Sequence, residues 1–287
     1  MVRLDEISKE ELRKFQEKLT GMMAFLDRVC RENGLTYYMT EGSCLGAVRH
    51  QGFIPWDDDL DIALPRPDYE KLWEIWQRDY RDSRYVLCRT TKDVCIKFHI
   101  MTLRDSATTC IYPHSTDIDT CHGIKIDICP LDGVPGGFLK EKMQTVNTKL
   151  FGLFAAQRIP NQEGSKITKV VAKIALGLIK SPRVRYSLWS GAEKRFSRYD
   201  YDSCDYVRSL NARPLPKKIF GEPRFVPFEG YSFAIPEDYD AYLKDCYGDY
   251  MQLPPEEKRK PSRTVLEVFD LERPYTDYKG SGYLKKD

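Results

Sequence analysis

The sequence has no apolar run near the roughly 20 residues that a membrane-spanning helix needs. Its longest candidate, around Ile174–Ile179, is short and flanked by lysines. The N-terminus is charged within five residues and lacks an apolar signal region, so the chain reads as intracellular and cytoplasmic. No C-x-x-C pair occurs among the nine cysteines, at 30, 44, 88, 95, 110, 121, 129, 204 and 246. An odd number scattered through apolar contexts points to buried free thiols rather than disulfides. Cys110, His114, Cys121, His122 and Cys129 crowd one stretch, but their spacing matches no familiar zinc pattern. Net charge is scarce too. The 45 basic and 43 acidic side chains leave +2, which gives no electrostatic reason to expect nucleic acid as a partner. Internal repeats and low-complexity segments are absent.

What is present is a globular composition, 41% hydrophobic and 31% charged, over 287 residues. Ser8-x-x-Glu11 is a capping box opening an amphipathic helix, whose stripe runs Leu12, Phe15, Leu19, Met22, Met23, Leu26, Val29 and stops at Gly34. A strand over Leu35–Met39, a Gly42-Ser43 turn and a short helix over Cys44–Arg49 follow. Asp59–Leu64 alternates with period two and reads as a strand, ended by Pro65 and Pro67, with Asp68 capping the next helix. Further strands are expected at Val94–Leu103 and Ile124–Cys129, then helices from Phe138 to Tyr199 with turns near Pro160–Gly164 and Ser181-Pro182. A hairpin over Phe225–Ile235 turns at Glu229-Gly230, a helix over Pro236–Tyr247 stops at Gly248, and the tail frays from Gly280. This order predicts an α+β fold with an α/β core, a mixed sheet flanked by helices. Residues 1–135 form the core; residues 136–287 are a helical and C-terminal extension that completes the cleft as one compact unit with it.

The chemistry concentrates in the stretch Glu41–Arg66. Residues two apart on a strand share a face, so Asp59 and Asp61 point together while Leu60, Ile62 and Leu64 point into the core. Two such carboxylates repel unless a cation compensates, and oxygen ligands favour Mg²⁺ or Mn²⁺. Asp127, in the alternating segment Ile124–Ile128, is the natural third acid of a two-metal site that would assist displacement at phosphorus. Gly42 and Ser43, at the start of a helix, suit phosphate oxygens. Asp57 and Asp58 precede the strand as accessory or loop acids.

The combination of Gly42-Ser43, Asp59-Leu-Asp61-Ile62 and Asp127-Ile128 resembles the nucleotidyltransferase-fold signature. More specifically, "GSCLGAVRHQGFIPWDDDLDIALPR", "GIKIDICPLDGVPGG" and "YDAYLKDCYGDYMQLPPEEKR" look like the LicD family, over roughly residues 20 to 260. That family comprises bacterial phosphocholine transferases of surface glycans, related to fukutin-type ribitol-phosphate transferases. The resemblance implies transfer of phosphocholine from CDP-choline to a hydroxyl of a glycan or lipid-linked oligosaccharide, releasing CMP, with Mg²⁺. It implies metal-ligand roles for Asp59, Asp61 and Asp127, and a phosphate-binding role for Gly42 and Ser43. Another CDP-linked polyol donor, or true nucleotidyl transfer, are the alternatives; a non-enzymatic binding protein fits least, because it has no reason to keep repelling carboxylates together. Histidines expected after the "LPPEEKR" segment are replaced by Lys260-Pro-Ser-Arg263.

Beside the acids, Arg49 and Lys97 are candidates to stabilise diphosphate charge, with His99 a weaker candidate base and Lys125 a neutralising neighbour of Asp127. A quaternary ammonium needs an aromatic cage, for which Trp56 stands closest to the aspartates, with Tyr37, Tyr38 and Tyr112 as further material. The basic stretch Lys166–Arg198 could meet an anionic membrane surface at the inner face, or simply be solvated.

Overall fold

A computed structural model of the chain describes residues 1–156, 177–179, 181–210 and 212–285. After a short strand β1 (Val2–Arg3), the helix α1 (Lys9–Glu32) opens on the expected capping box. The Glu11 N–H donates to Ser8 Oγ at 3.1 Å and the Ser8 N–H to Glu11 Oε2 at 3.0 Å. Its whole predicted stripe is buried. Gly34, with φ +62°, makes the turn that ends it. The strand expected at 35–39 shrinks to β2 (Tyr38–Met39), because the Thr36 N–H donates to Asp68 Oδ2 at 3.0 Å instead of joining a ladder.

The helix α2 (Glu41–His50) starts earlier than expected and takes Gly42 and Ser43 into its first turn. Then come β3 (Asp61–Pro65), α3 (Arg66–Asp79), β4 (Tyr85–Cys88) and β5 (Met101–Asp105). The expected strand over 94–103 survives only at its end, since Lys97 sits at φ +51°, which no strand accommodates. The strands β6 (Thr109–Ile111) and β7 (Lys125–Val134) precede the helices α4 (Phe138–Ala156) and α5 (Pro182–Phe196). The remaining elements are β8 (Tyr206–Arg208), β9 (Leu215–Pro216), β10 (Arg224–Phe228), β11 (Tyr231–Ile235), α6 (Tyr239–Tyr247), β12 (Val265–Leu266) and β13 (Val268–Asp270). The hairpin β10–β11 turns at Glu229 and Gly230, both at positive φ, as a two-residue loop requires.

The central sheet runs β2–β3–β7–β5–β4, with β8 and β9 continuing from the far half of β7. Only β3 and β7 are parallel; the sheet is mixed and the fold α+β, as expected. Ile62, Leu64, Ile126 and Ile128 bury one sheet face in the main core shared with the α1 stripe. A second cluster, Phe151, Phe154, Trp189 and Phe196 among others, joins α4 to α5. The tail does not fray at Gly280: Tyr283 is buried against His122, and the Leu284 N–H donates to Thr116 O.

Candidate active site

Parallel pairing sets Asp61 opposite Asp127, Ala63 opposite Cys129 and Pro65 opposite Leu131. Register neighbours on adjacent strands share a face, so the two carboxylates stand side by side on the face opposite the core. Asp59 does not belong to β3; it leads into it from the preceding loop, which also carries Asp57 and Asp58, and is the most accessible of the three. Ligand oxygens of Asp57, Asp58 and Asp59 lie within 4.8 Å of one another. Among the described residues this is the only group of three Asp, Glu, His or Cys that converges so tightly. Asp61 and Asp127 are not members of that group, but they border it: the charge of Asp127 acts on both Asp59 and Asp61.

The electrostatics carry the mark of uncompensated charge. Burial, then the charges of Asp59 and Asp127, raise the Asp61 carboxyl well above its ordinary range. Burial, then Asp59 and Asp58, push Asp57 up to about 8. Asp59 is raised by burial and by Asp58, against the pull of Lys125. Lys125 pairs with Asp127 Oδ2, while Asp127 Oδ1 is buried with no hydrogen-bond partner. Asp58 is differently engaged, accepting from the Ser262 hydroxyl at 2.6 Å and the Ser262 N–H at 3.3 Å. A bare, buried carboxylate oxygen beside three crowded acids is a donor set of hard oxygens, and it fits a divalent cation such as Mg²⁺.

The turn at the start of α2 holds this arrangement in place. The Asp61 N–H donates to the buried Ser43 Oγ at 2.9 Å, which ties β3 to the helix. A Cβ at position 42 would lie 2.5 Å from Asp57 Oδ2, so only glycine lets that carboxylate approach the helix start.

Two cavities flank the acids. One of about 370 Å³ is lined by Asp58, Asp59, Lys125, Phe98, Tyr112 and His114. The other, about 330 Å³, continues along the acid-bearing sheet face, from Asp61 over Ala63, Cys129 and Leu131. Its walls include Phe220 and Tyr242, with ring centroids 5.8 Å apart, and Glu41. The Glu41 N–H donates to the Tyr242 hydroxyl at 3.1 Å, which pins a non-glycine residue at φ +49°. Among the described residues no cation or hydrogen-bond donor meets the Glu41 carboxylate, whose pKa burial raises. Sequence reasoning missed Glu41, although an acid directly before a candidate phosphate turn is an unfavourable neighbour unless it faces a cation.

The other expected contributors have partners of their own. The Arg49 guanidinium, at the far end of α2 from Gly42, donates to Tyr250 O at 2.7 Å. Lys97 holds Asp117 at 2.6 Å and lines neither cavity beside the acids. Trp56 is half-buried, with the Arg259 guanidinium 6.0 Å from its ring centroid and His50 edge-on at 6.5 Å. Tyr37 donates to Asp27 and Tyr38 to Gly221 O, both 2.6 Å contacts of the core; only Tyr112 borders the acids. None of the nine cysteines is paired in a disulfide, and Cys110, Cys121 and Cys129 do not converge with histidines on a metal-binding geometry. Lys166, Lys169, Lys173 and Lys180, and the turn near 160–164, lie outside the described residues.

Paired acids on parallel strands beside the small-residue start of a helix define the class. Residues 34–102, which include Asp59 and Asp61, match the family model described as LicD/FKTN/FKRP, nucleotidyltransferase domain. The chain is thus similar to the LicD family in this segment, and to one of its members along most of its length. It is 25% identical over 275 residues, 89% of this chain and 97% of the relative, to the lipopolysaccharide cholinephosphotransferase LicD of Haemophilus influenzae. An uncharacterized protein of Rickettsia prowazekii is 36% identical over 75 residues, 24% of this chain and 28% of its own length. One of Rickettsia typhi is 42% identical over 77 residues, 24% and 25% respectively.

Proposed function

We propose that the protein is a metal-dependent phosphotransferase that moves phosphocholine from CDP-choline to a hydroxyl of a cell-surface glycan or its lipid-linked precursor, releasing CMP. The observation that carries this reading is the likeness along 89% of the chain to a lipopolysaccharide cholinephosphotransferase. The site's chemistry supports it. Asp59, Asp61 and Asp127 would hold Mg²⁺ or Mn²⁺, with Asp57 beside them. When bound, a divalent cation supplies positive charge to the phosphoryl group under attack and offsets the repulsion among the carboxylates.

The remaining steps fall to the chain's own groups. Backbone N–H groups of Gly42 and Ser43, in the first turn of α2, would meet phosphate oxygens. The Ser43 hydroxyl already accepts from Asp61, which leaves its own proton to donate. Lys125 adds a positive charge on the Asp127 side. The cavity beyond Asp61 suits the choline end of the donor: aromatic and aliphatic walls stand beside Glu41 and Asp61, and its two arginines are engaged, Arg208 with Gln144 and Arg213 with Asp245. There Glu41 would be the counter-charge and Phe220 and Tyr242 the walls, in place of the Trp56 cage expected from sequence. Two methylenes and an ester oxygen separate the ammonium from the phosphorus, so a head group held there keeps the phosphorus beside the acids. The acceptor oxygen forms the new P–O bond, the bond to the CMP phosphate breaks, and the hydroxyl proton is lost to solvent at the open, Asp59 side.

The test is a donor screen with CMP release as readout, beside thermal denaturation. CDP-choline with Mg²⁺ should raise the melting temperature and yield CMP when a glycan acceptor is supplied. A shift with CTP or ATP and none with CDP-choline would overturn this reading in favour of nucleotidyl transfer.

A further inference from the structure

The helix α4 has two opposite characters. Gln144, Thr148, Phe151 and Ala155 turn inward and are buried. On the other side, Leu139, Met143, Val146 and Leu150 recur at helical spacing and are 72%, 52%, 56% and 39% exposed. Phe138 adds a further exposed ring, with the Lys142 ammonium 4.1 Å from its centroid. A continuous stripe of large apolar side chains is unusual on a protein surface and asks for an occupant.

The surrounding charge selects among occupants. Every exposed charged side chain described on α4 and α5 is basic: Lys140, Lys142, Lys149, Arg183, Lys194 and Arg195. The acids do not reach this surface; Glu193 is buried with Arg66 and Arg89, and Glu141 is only half-exposed. A second copy packed on the stripe would bring these like charges together, which opposes self-association. An anionic surface would be attracted by them while the stripe enters its apolar boundary. We infer that α4 is an interfacial helix that lays Leu139, Met143, Val146 and Leu150 into an anionic lipid bilayer. No helix among the described residues is long and apolar enough to cross a membrane, so the contact is peripheral. The same helix holds Arg208 from its inner side, through Gln144 Oε1 at 2.7 Å, and Arg208 lines the cavity beside Asp61. Docking therefore brings the cavity to within about one helix diameter, roughly 10 Å, of the lipid surface.

Sedimentation of the full chain with vesicles tests this. The protein should pellet with phosphatidylcholine vesicles containing phosphatidylglycerol, weakly or not at all with phosphatidylcholine alone, and less as salt rises. The double variant Leu139→Glu/Val146→Glu should abolish pelleting, and Lys142→Glu/Lys149→Glu should weaken it about tenfold or more. Both variants change exposed side chains, so melting temperature should stay within a degree or two of the wild type's. Pelleting unaffected by either variant would overturn the inference. So would a wild-type dimer that the glutamate pair dissociates, or a large fall in its melting temperature, which would mean that the stripe is covered within the chain.

Discussion

At the scale of single residues, Asp61 is where stability and chemistry oppose each other. Its carboxyl titrates well above its ordinary range because burial, Asp59 and Asp127 all disfavour the charge. A raised folded-state pKa means that, above about pH 4, the unfolded chain has lost a proton the folded one still holds. Stability in chelator should therefore fall as pH rises from there through the raised value. Asp61→Asn removes the repulsion without removing the shape. In EDTA at neutral pH it should melt a few degrees above the wild type and show a flatter pH dependence. In Mg²⁺ the wild type should gain stability and the variant little, and turnover should be lost. A variant that gains as much from Mg²⁺ as the wild type would remove Asp61 from the proposed metal-binding set. Glu41 invites a parallel measurement. Glu41→Gln should weaken CDP-choline binding about tenfold, the scale of one desolvated charge and ring contact. Binding of CDP, which lacks the ammonium, should not change. Equal loss for both ligands in calorimetry would assign Glu41 to the nucleotide or to structure instead.

At the scale of elements, what the sequence disclosed was what is local. The capping box of α1, the β10–β11 hairpin and the alternation through Asp61 each depend on neighbours a few residues away, and each stands in the structure. Matching patterns on two segments suggest Asp127 as the partner of Asp61, and the parallel β3–β7 ladder supplies the register that sets them side by side. What escaped was decided at long range. Thr36 leaves its expected strand for Asp68, Lys97 turns aside to Asp117, and the tail is held by His122. The Glu41 partner Tyr242 lies 201 residues further on, so no local pattern could reveal that an aromatic wall stands beside that acid. Ser262, which fixes Asp58, lies 204 residues away for the same reason. The acids were readable because Asp57 to Asp61 crowd within five consecutive residues; the cavity beside them was not, because its walls come from five separate parts of the chain.

At the scale of the whole molecule, one buried ion network ties the central sheet to the α4–α5 pair. Arg66 follows Pro65 on the chain just as Asp132 follows its register partner Leu131, so the ladder that carries the acids ends on this pair. The guanidinium donates to both Asp132 oxygens, at 2.7 and 2.8 Å, and reaches Glu70 at 2.9 Å and Glu193 of α5 at 3.2 Å. Arg89 closes the network on Glu70 and Glu193. Burial works against the Arg66 charge, but Asp132 and Glu193 outweigh it and hold the group charged. Arg66→Met would strand Asp132, which is 2% exposed. Removing one partner of a buried pair costs about 3–5 kcal/mol. At about 2–4 °C per kcal/mol, the melting temperature should drop by roughly 10 °C. Adding Asp132→Asn should restore part of that loss, because the stranded charge rather than the missing attraction is the larger penalty. Well below its melting temperature the single variant should keep most of its turnover, since Asp61 and Asp127 stand at the opposite end of the ladder. An unchanged melting temperature would show that the network adds nothing to stability. A loss of turnover at full folding would show instead that strain at one end of β3 and β7 reaches the acids at the other.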